Sequence, residues 1–221
     1  MKSPSEVIPK FFISLEKDTD RLEYLKNDVF PLISNHIKCK AFDPNVTDPN
    51  SFLEENNILI AEHFIEKCNV GQLGCFISHF QVWKYIADNN LDLSIIMEDD
   101  VKIYKNFNEI IDKIFDNLPN KYDYVHLFIH PDKQKAEYLS ANDGDITIAE
   151  ENFGTVAYMI TCRGAKRLDR DGGASLRFQE NGLRRGRVAE CRSVCSEAIG
   201  AIGQCRLNQR LKVLDFQSRE V

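Results

Sequence analysis

The strongest constraint on the fold is an apolar run that ends in acidic residues. The segment Leu93–Val101 reads LSIIMEDDV, so a stretch of strand-forming residues stops at three consecutive carboxylates. A short apolar run bounded by charge is typical of a strand that is buried on both faces. Adjacent carboxylates repel one another, so they need a neutralising partner where such a strand ends.

Predicted strands and helices alternate along the first three quarters of the chain. Strands are predicted at Phe11–Leu15, His36–Phe42, Leu93–Met97, Tyr122–Ile129 and Thr155–Thr161. Helices are predicted after Asp18, near Phe52–Asn56, over 71–90, over Asn106–Leu118 and from Arg163. This order predicts an α/β fold with a mainly parallel central sheet flanked by helices. Polar residues that follow parallel strands then share one crevice beyond the carboxyl ends of the sheet.

The carboxylates after the Leu93–Met97 strand suit a hard metal ion. In an extended segment, Glu98 and Asp100 project to one side and Asp99 projects to the other. Glu98 and Asp100 are therefore placed to bind one divalent ion, Mn²⁺ or Mg²⁺, through oxygen ligands. Such an ion acts as a Lewis acid on a departing diphosphate, which is what transfer from a nucleotide-activated substrate requires.

The acidic cluster alone leaves two other interpretations open. Carboxylates after a strand also serve as solvated turn residues or as helix caps. They also form half of two-metal phosphatase or nuclease sites, for which the candidate additional ligands are His126, His130 and Asp132.

Three stretches of the chain together resemble glycosyltransferase family 25. They are FISLEKDTDRLEYL, GQLGCFISHFQVWKYIADNNLDLSIIMEDDV and GTVAYMITCRGAKRL, and they cover roughly residues 10–170. The resemblance implies a GT-A type nucleotide-binding fold and a metal-dependent hexosyltransferase. It also implies a UDP-sugar donor, with UDP-galactose expected, and a lipooligosaccharide or other glycan acceptor.

The matched motifs imply specific site residues. Glu98, Asp99 and Asp100 match the acidic metal motif, with Glu98 and Asp100 as the catalytic carboxylates. Donor binding is implied for Ser14, Leu15, Arg21, Gly71, Gly74, Ser78, His79 and Asp99, and the acceptor side for Gly154, Thr155 and Tyr158. Asp43, just past the second strand, is a further donor candidate, because it can accept hydrogen bonds from a ribose.

Several of these residues also have a purely structural interpretation. Arg21 can bind a phosphate or form a surface ion pair. Gly71 and Gly74 can bring backbone close to a donor at a helix N-terminus, or can serve only a tight entry into the helix. Asp43 binds a ribose or belongs to the turn that Asp43-Pro44 predicts.

The helix over 71–90 carries polar residues beside its apolar face. Ser78 and His79 lie off the main apolar stripe, so they can hydrogen-bond to donor or acceptor hydroxyls, although a lone helix histidine also serves structural roles. Cys75 and Trp83 are predicted to be packing residues.

The last quarter of the chain differs in composition. Residues 1–162 hold fourteen lysines and one arginine, whereas 163–221 hold two lysines and eleven arginines together with seven of the eleven glycines. We therefore predict a catalytic domain over 1–170 and an atypical tail over 171–221 that is divergent, fused or frame-shifted. The family's acidic P-V-D-like sequence is missing from this tail, which leaves the general base unassigned and makes an inactive sugar-nucleotide-binding remnant the alternative function.

Composition limits the partners and the location. A formal charge of −6 disfavours nucleic acid as a partner. Pro9 and Lys10 interrupt the apolar residues near the start, so no signal peptide is expected, and no apolar run has the length of a membrane span. Seven scattered cysteines without a C-x-x-C pair are typical of reduced thiols. We expect a cytoplasmic protein that associates peripherally with the inner membrane, where the arginine-rich tail can contact anionic lipid.

Overall fold

The structure is a computed structural model that describes residues 2–58, 68–118, 122–127 and 155–168, with the backbone of 147–149, 169–171 and 211–213. Predictions for His130, Asp132, Gly154 and nearly all of the tail after residue 171 lie outside these described residues. The division of the chain at residue 170 therefore stays a prediction.

The described elements form an α/β fold around one sheet, as the alternation of strands and helices predicts. The strands are β1 Lys10–Ser14, β2 His36–Lys40, β3 Leu93–Glu98, β4 Tyr124–His126, β5 Thr147–Ala149, β6 Ala157–Thr161 and β7 Leu211–Val213. Their order is β2-β1-β3-β6-β4-β7-β5, of which the first five have described side chains. β1 pairs in parallel with both β2 and β3.

The strand β6 runs against its neighbours. It pairs antiparallel with β3, where Met97 lies opposite Ala157, and antiparallel with β4. The Glu98 backbone N–H donates to the carbonyl of Val156 at 2.9 Å. The apolar pattern predicts the strand but carries no information about its direction. The residues just before β6 consequently lie at the same edge of the sheet as the carboxyl end of β3.

Helices cover both faces of the sheet. They are α1 Pro4–Val7, α2 Thr19–Tyr24, α3 Pro49–Glu55, α4 Val70–Asp88, α5 Phe107–Asn117 and α6 Cys162–Asp171. α2 continues through a π-helical turn, Leu25–Val29, and a 3₁₀ turn, Phe30–Leu32. The predicted helices within the described ranges are all present, with ends that differ by a few residues.

The alternation of side chains along the central strands builds a separate core on each face. On β3, Ile96 packs with Trp83 of α4, whereas Ile95 and Met97 pack on the opposite face with residues of α5 such as Ile111. Each of these side chains is fully buried. Burial of one such side chain stabilises the fold by about 1.5–3 kcal/mol. The position of β3 is thus fixed from both sides.

The long helix α4 begins at a well-defined cap. The Asn69 side chain accepts from the Gln72 backbone N–H, and the Gln72 side chain accepts from the Asn69 N–H, both at 2.9 Å. One turn later, a Cβ on Gly74 would lie 3.0 Å from Cδ of Pro44. The absence of a side chain at Gly74 therefore lets α4 approach the segment that follows β2.

The described helices include none that could cross a membrane. None of them combines the length and the apolar character that a bilayer span requires.

We predict that Gly164→Ala destabilises the fold although alanine favours helices. A Cβ at Gly164 would lie 2.5 Å from the carbonyl oxygen of Asp123, so the backbone of α6 or β4 has to shift. Such overpacking costs about 1–3 kcal/mol, which exceeds the gain of about 1 kcal/mol in helix propensity. Urea unfolding measures the loss.

Gly71→Ala is the matched control for this change. Its Cβ would meet only the Asn69 side chain, at 3.3 Å, so the free energy of unfolding should fall less than in Gly164→Ala. Equal stability of Gly164→Ala and the unsubstituted protein would contradict the packing argument.

Candidate active site

The candidate site lies where the parallel strands β1 and β3 end side by side. Ile13 of β1 is in register with Glu98, the last residue of β3. Asp99 and Asp100 then form a turn, so the side-to-side alternation expected for the acidic segment stops at Glu98. The two strand ends form the shared edge at which a ligand binds in sheets of this kind.

The Glu98 carboxylate is held in place from two directions. Its Oε1 atom accepts a short hydrogen bond from the Thr155 hydroxyl and lies 3.4 Å from Nε2 of His79. Burial raises the pKa of Glu98, but the hydrogen bonds from His79 and Thr155 lower it, and the net direction is down. Glu98 is therefore a fixed anion, and its side chain keeps 26% exposure toward solvent.

A buried hydrogen-bond chain orients His79. Its Nδ1 lies 2.7 Å from the hydroxyl of Tyr158, which also accepts from the indole N–H of Trp83 at 2.8 Å. In a neutral imidazole, the Tyr158 hydroxyl donates to Nδ1 and the proton stays on Nε2, whereas an imidazolium carries protons on both nitrogens. In either state, Nε2 donates to Glu98.

Burial and hydrogen bonding both shift the pKa values of the residues in this hydrogen-bond chain. Burial raises the pKa of Tyr158 to about 12, so the phenol keeps its proton. Burial lowers the pKa of His79, but interactions with Tyr158, Cys75 and Glu98 raise it, and the net direction is well above the usual value. The histidine is thereby held as a hydrogen-bond donor toward the carboxylate.

The second acidic residue is neutralised by an arginine. Nη1 of Arg21 lies 2.6 Å from Oδ1 of Asp99, and the Asp99 side chain is only 8% exposed. Asp100 is exposed at the surface, but the neighbouring protein partly desolvates its carboxylate, and this desolvation together with the negative charge of Glu98 raises its pKa. Asp99 is therefore engaged with protein, whereas Glu98 and Asp100 repel each other at the site.

A second cation flanks the end of β1. Nζ of Lys17 lies 2.8 Å from Oδ2 of Asp43, and Oδ1 of Asp43 accepts from the Asn45 backbone N–H at 3.0 Å. The turn interpretation of Asp43 is thus realised, while its contact with a ribose stays a prediction. The Ser14 hydroxyl is buried and donates to the Leu15 carbonyl at 3.4 Å.

The structure places several predicted donor-binding residues inside the protein. The Ser78 hydroxyl accepts from the Phe42 backbone N–H at 2.9 Å and donates to the Gly74 carbonyl at 2.7 Å. Ser78 and His79 are both buried, because helix α4 is covered by the sheet, by the loop after β2 and by α6. A stripe of apolar residues predicts one buried face of a helix, but it does not show how many faces neighbours cover.

Thr155 and Tyr158, expected on the acceptor side, lie behind the carboxylate. Tyr158 is 0% exposed and contacts His79 and Trp83, and Thr155 is buried with its hydroxyl on Glu98. The polar role of Trp83, which the sequence predicts to be a packing residue, was not visible in the pattern. Its signal is the i, i+4 spacing from His79, which places both side chains on one face of α4.

One group of three metal-ligating side chains converges among the described residues. The ligand atoms of Cys75, His79 and Glu98 all lie within 4.8 Å of one another. The sequence predicts Cys75 to be a packing residue, but the structure leaves it partly exposed beside Thr155, with Sγ 3.9 Å from the threonine hydroxyl. Asp99 and Asp100 do not belong to this group.

The two-metal hydrolase alternative gains no support from the described residues. His126 is fully buried in β4, which β6 separates from β3. It lies in the core and does not reach the edge where Glu98 ends.

Comparison with known proteins identifies a family and several relatives. The family described as Glycosyltransferase family 25 (LPS biosynthesis protein) matches residues 7–170. Procollagen galactosyltransferase 1-A of Xenopus laevis is 28% identical over 166 residues, which are 72% of this chain and 27% of that protein. Procollagen galactosyltransferase 2 of Homo sapiens is 29% identical over 102 residues, which are 44% of this chain and 16% of that protein.

The relatives also include proteins named as inactive. Inactive glycosyltransferase 25 family member 3 of Homo sapiens is 26% identical over 104 residues, 44% of this chain and 17% of that protein. These curated relatives are much longer than the region they share with this chain. Among solved structures, mannose-1-phosphate geranyltransferase from Thermus thermophilus aligns with 94% of this chain and 73% of that one, at 10% identity and a TM-score of 0.38.

We predict that Tyr158→Phe lowers the free energy of unfolding by about 1–3 kcal/mol, the cost of leaving buried polar groups without partners. The change removes the hydroxyl that joins His79 to the Trp83 indole, and it changes the volume of the side chain very little. Tyr85→Phe is the matched control, because Tyr85 is half exposed and its ring contact with Phe11 survives. Urea unfolding compares them, and equal stability of the two variants would contradict the hydrogen-bond chain.

Proposed function

Because the chain belongs to glycosyltransferase family 25, we propose that it transfers galactose from a UDP-sugar to a glycan acceptor of the lipooligosaccharide type. The observation that carries this proposal is the Glu98 carboxylate, fixed as an anion where β1 and β3 end, with Asp100 and Arg21 beside it. Opposite charges at one sheet edge suit a substrate that carries a diphosphate and departs with added negative charge.

The residues at this edge fit a hard divalent ion, Mn²⁺ or Mg²⁺. Thr155 and His79 both contact Oε1 of Glu98. The second carboxylate oxygen, Oε2, makes neither of these contacts and would be the oxygen that binds the ion. The pKa of Asp100 is raised by partial desolvation and by the charge of Glu98, and a cation would relieve this repulsion between the two carboxylates. Glu98 and Asp100 would hold the ion, and Asp99 would join only by releasing Arg21. When bound, the ion neutralises the departing UDP.

The cations at the end of β1 would bind the donor phosphates. Arg21 is 52% exposed and uses Nη1 for Asp99, so its other N–H groups are oriented by that ion pair. Lys17 is similarly exposed and is held by Asp43. Each carboxylate limits the motion of its partner, which places two positive charges near the strand ends before the donor arrives.

His79 would act on the reaction through Glu98. It is 1% exposed, so it does not contact the sugar, and its Nε2 hydrogen bond keeps the carboxylate in one orientation. Thr155 fixes the same oxygen from the side of β6. These two residues would position the carboxylate that binds the metal.

A sugar-nucleotide-binding remnant without transfer activity is the second candidate function. It is favoured by the relatives named as inactive and by the absence of the P-V-D-like sequence after the third motif. Binding of UDP-galactose by the full chain, measured calorimetrically, without release of UDP in the presence of Mn²⁺ and an oligosaccharide acceptor, would establish this function.

We further propose that the protein works in the cytoplasm and associates peripherally with the inner membrane, held by the arginine-rich segment 171–221. Electrostatic association is screened by salt. In fractionated cells, the membrane-associated part should therefore be released by a high-salt wash without detergent. A protein that stays entirely in the cytosolic fraction at low salt would contradict the association.

We predict that Glu98→Gln and Asp100→Asn each lower kcat/KM for UDP-galactose by about 100-fold or more, because loss of one carboxylate removes metal stabilisation of several kcal/mol. The measurement is UDP release by the full chain with Mn²⁺ and an oligosaccharide acceptor, screened over several UDP-sugars. The control is Asp88→Asn, which alters only an exposed ion pair with Lys84 and should keep full activity. Active protein with unchanged kcat/KM in both site variants would refute the assigned roles.

A further inference from the structure

We propose that Cys75, His79 and Glu98 form a binding site for Zn²⁺, and that Zn²⁺ bound there inhibits sugar transfer by taking Glu98 away from the donor-side metal. The binding site stands on the geometry of these three side chains alone. The inhibitory effect rests on the proposed function of Glu98.

The spacing of the three side chains fits a tetrahedral ion. Zinc lies about 2.0 Å from nitrogen and oxygen ligands and about 2.3 Å from sulfur, which separates neighbouring ligand atoms by roughly 3.3–3.6 Å. Nε2 of His79 and Oε1 of Glu98 are 3.4 Å apart, and the Cys75 sulfur is within 4.8 Å of both ligand groups. The sulfur therefore needs to move by roughly 1 Å at most to complete the set.

Each of the three ligands is already oriented by a neighbour. The Tyr158 hydroxyl holds Nδ1 of His79 at 2.7 Å, which leaves Nε2, the nitrogen beside Glu98, to bind a metal. The Thr155 hydroxyl contacts both the Glu98 carboxylate and, at 3.9 Å, the Cys75 sulfur. Metal-binding histidines and carboxylates in proteins are oriented by outer hydrogen bonds of this kind.

The ligand set selects zinc over the ion proposed for the donor. A thiolate and an imidazole favour Zn²⁺, whereas Mg²⁺ and Mn²⁺ prefer oxygen ligands. When Cys75 binds the metal, its thiol releases one proton to solvent, and the thiolate and the Glu98 carboxylate together balance the charge of the ion. The His79 imidazolium likewise releases its Nε2 proton to solvent, so two protons leave in all, and its Nδ1 proton is donated to the oxygen of Tyr158.

The site is also open on one side. His79 lies in the core, whereas Cys75 and Glu98 are partly exposed, so three protein ligands face one position toward the crevice. Zinc sites with three protein ligands keep a fourth position for water or an anion. A metal can therefore enter from the crevice without unfolding of helix α4.

The test is a titration of the metal-free, reduced full chain with Co²⁺, a spectroscopic probe for zinc sites. A tetrahedral site containing a thiolate should produce intense visible bands and a thiolate-to-cobalt charge-transfer band, both removed by Zn²⁺. These bands should persist in Cys162→Ser, a control at another partly exposed cysteine, and should be lost in Cys75→Ser. Circular dichroism verifies that both variants fold.

The outcomes separate this site from other cysteines and from the proposed function. Bands that persist in folded Cys75→Ser, or no tetrahedral spectrum in the unsubstituted protein, would overturn the binding site. In the transfer assay with Mn²⁺, the Zn²⁺ concentration for half-inhibition should rise at least tenfold in Cys75→Ser, relative to the zinc-free rate of each variant. An unchanged value would overturn the inhibitory role. Cobalt bands in a protein without transfer activity would support the site and refute the proposed enzyme.

Discussion

The hydrogen bonds that hold the Glu98 carboxylate determine what this sheet edge can do. These hydrogen bonds run from the Trp83 indole through Tyr158 and His79 to Glu98, and Thr155 donates to Glu98 from the other side. A buried polar network stabilises a structure only when its members are satisfied, and it then favours one arrangement of the side chains. Because the members come from α4, from β3 and from the region of β6, the same network joins three elements of the fold.

The reversed direction of β6 makes this arrangement possible. In a wholly parallel sheet, the residues that precede β6 would lie at the amino ends of the neighbouring strands, far from Glu98. Antiparallel pairing with β3 instead places Ala157 opposite Met97 and puts Thr155 beside the carboxylate. The antiparallel strand therefore supplies the second side of the site, which the parallel half of the sheet cannot provide.

Sequence patterns predict the positions of the strands and helices of this protein better than the direction of the strands and the burial of individual side chains. The apolar runs at Phe11–Leu15 and Leu93–Met97 locate β1 and β3, because a strand covered on both faces has few polar residues. The direction of β6 and the burial of His79 were not predictable in this way, since both depend on contacts between residues distant in the sequence. The partial exposure of the Cys75 thiol was not predictable for the same reason. Its role depends on Glu98, which lies on another element, so helical periodicity alone does not reveal it.

Glu98 is the ligand that the two proposed metal sites share. A hard ion near Asp100 and a zinc ion at Cys75 and His79 would both draw on the same carboxylate, and two divalent ions at such short range repel each other strongly. We therefore expect the two sites not to hold metal ions at the same time. Donor phosphates favour the first site by adding oxygen ligands, whereas the thiolate favours the second by its affinity for zinc. Which of the two sites is occupied therefore depends on the metal and the substrate that reach the crevice, because the fold holds Glu98 where it can serve both sites.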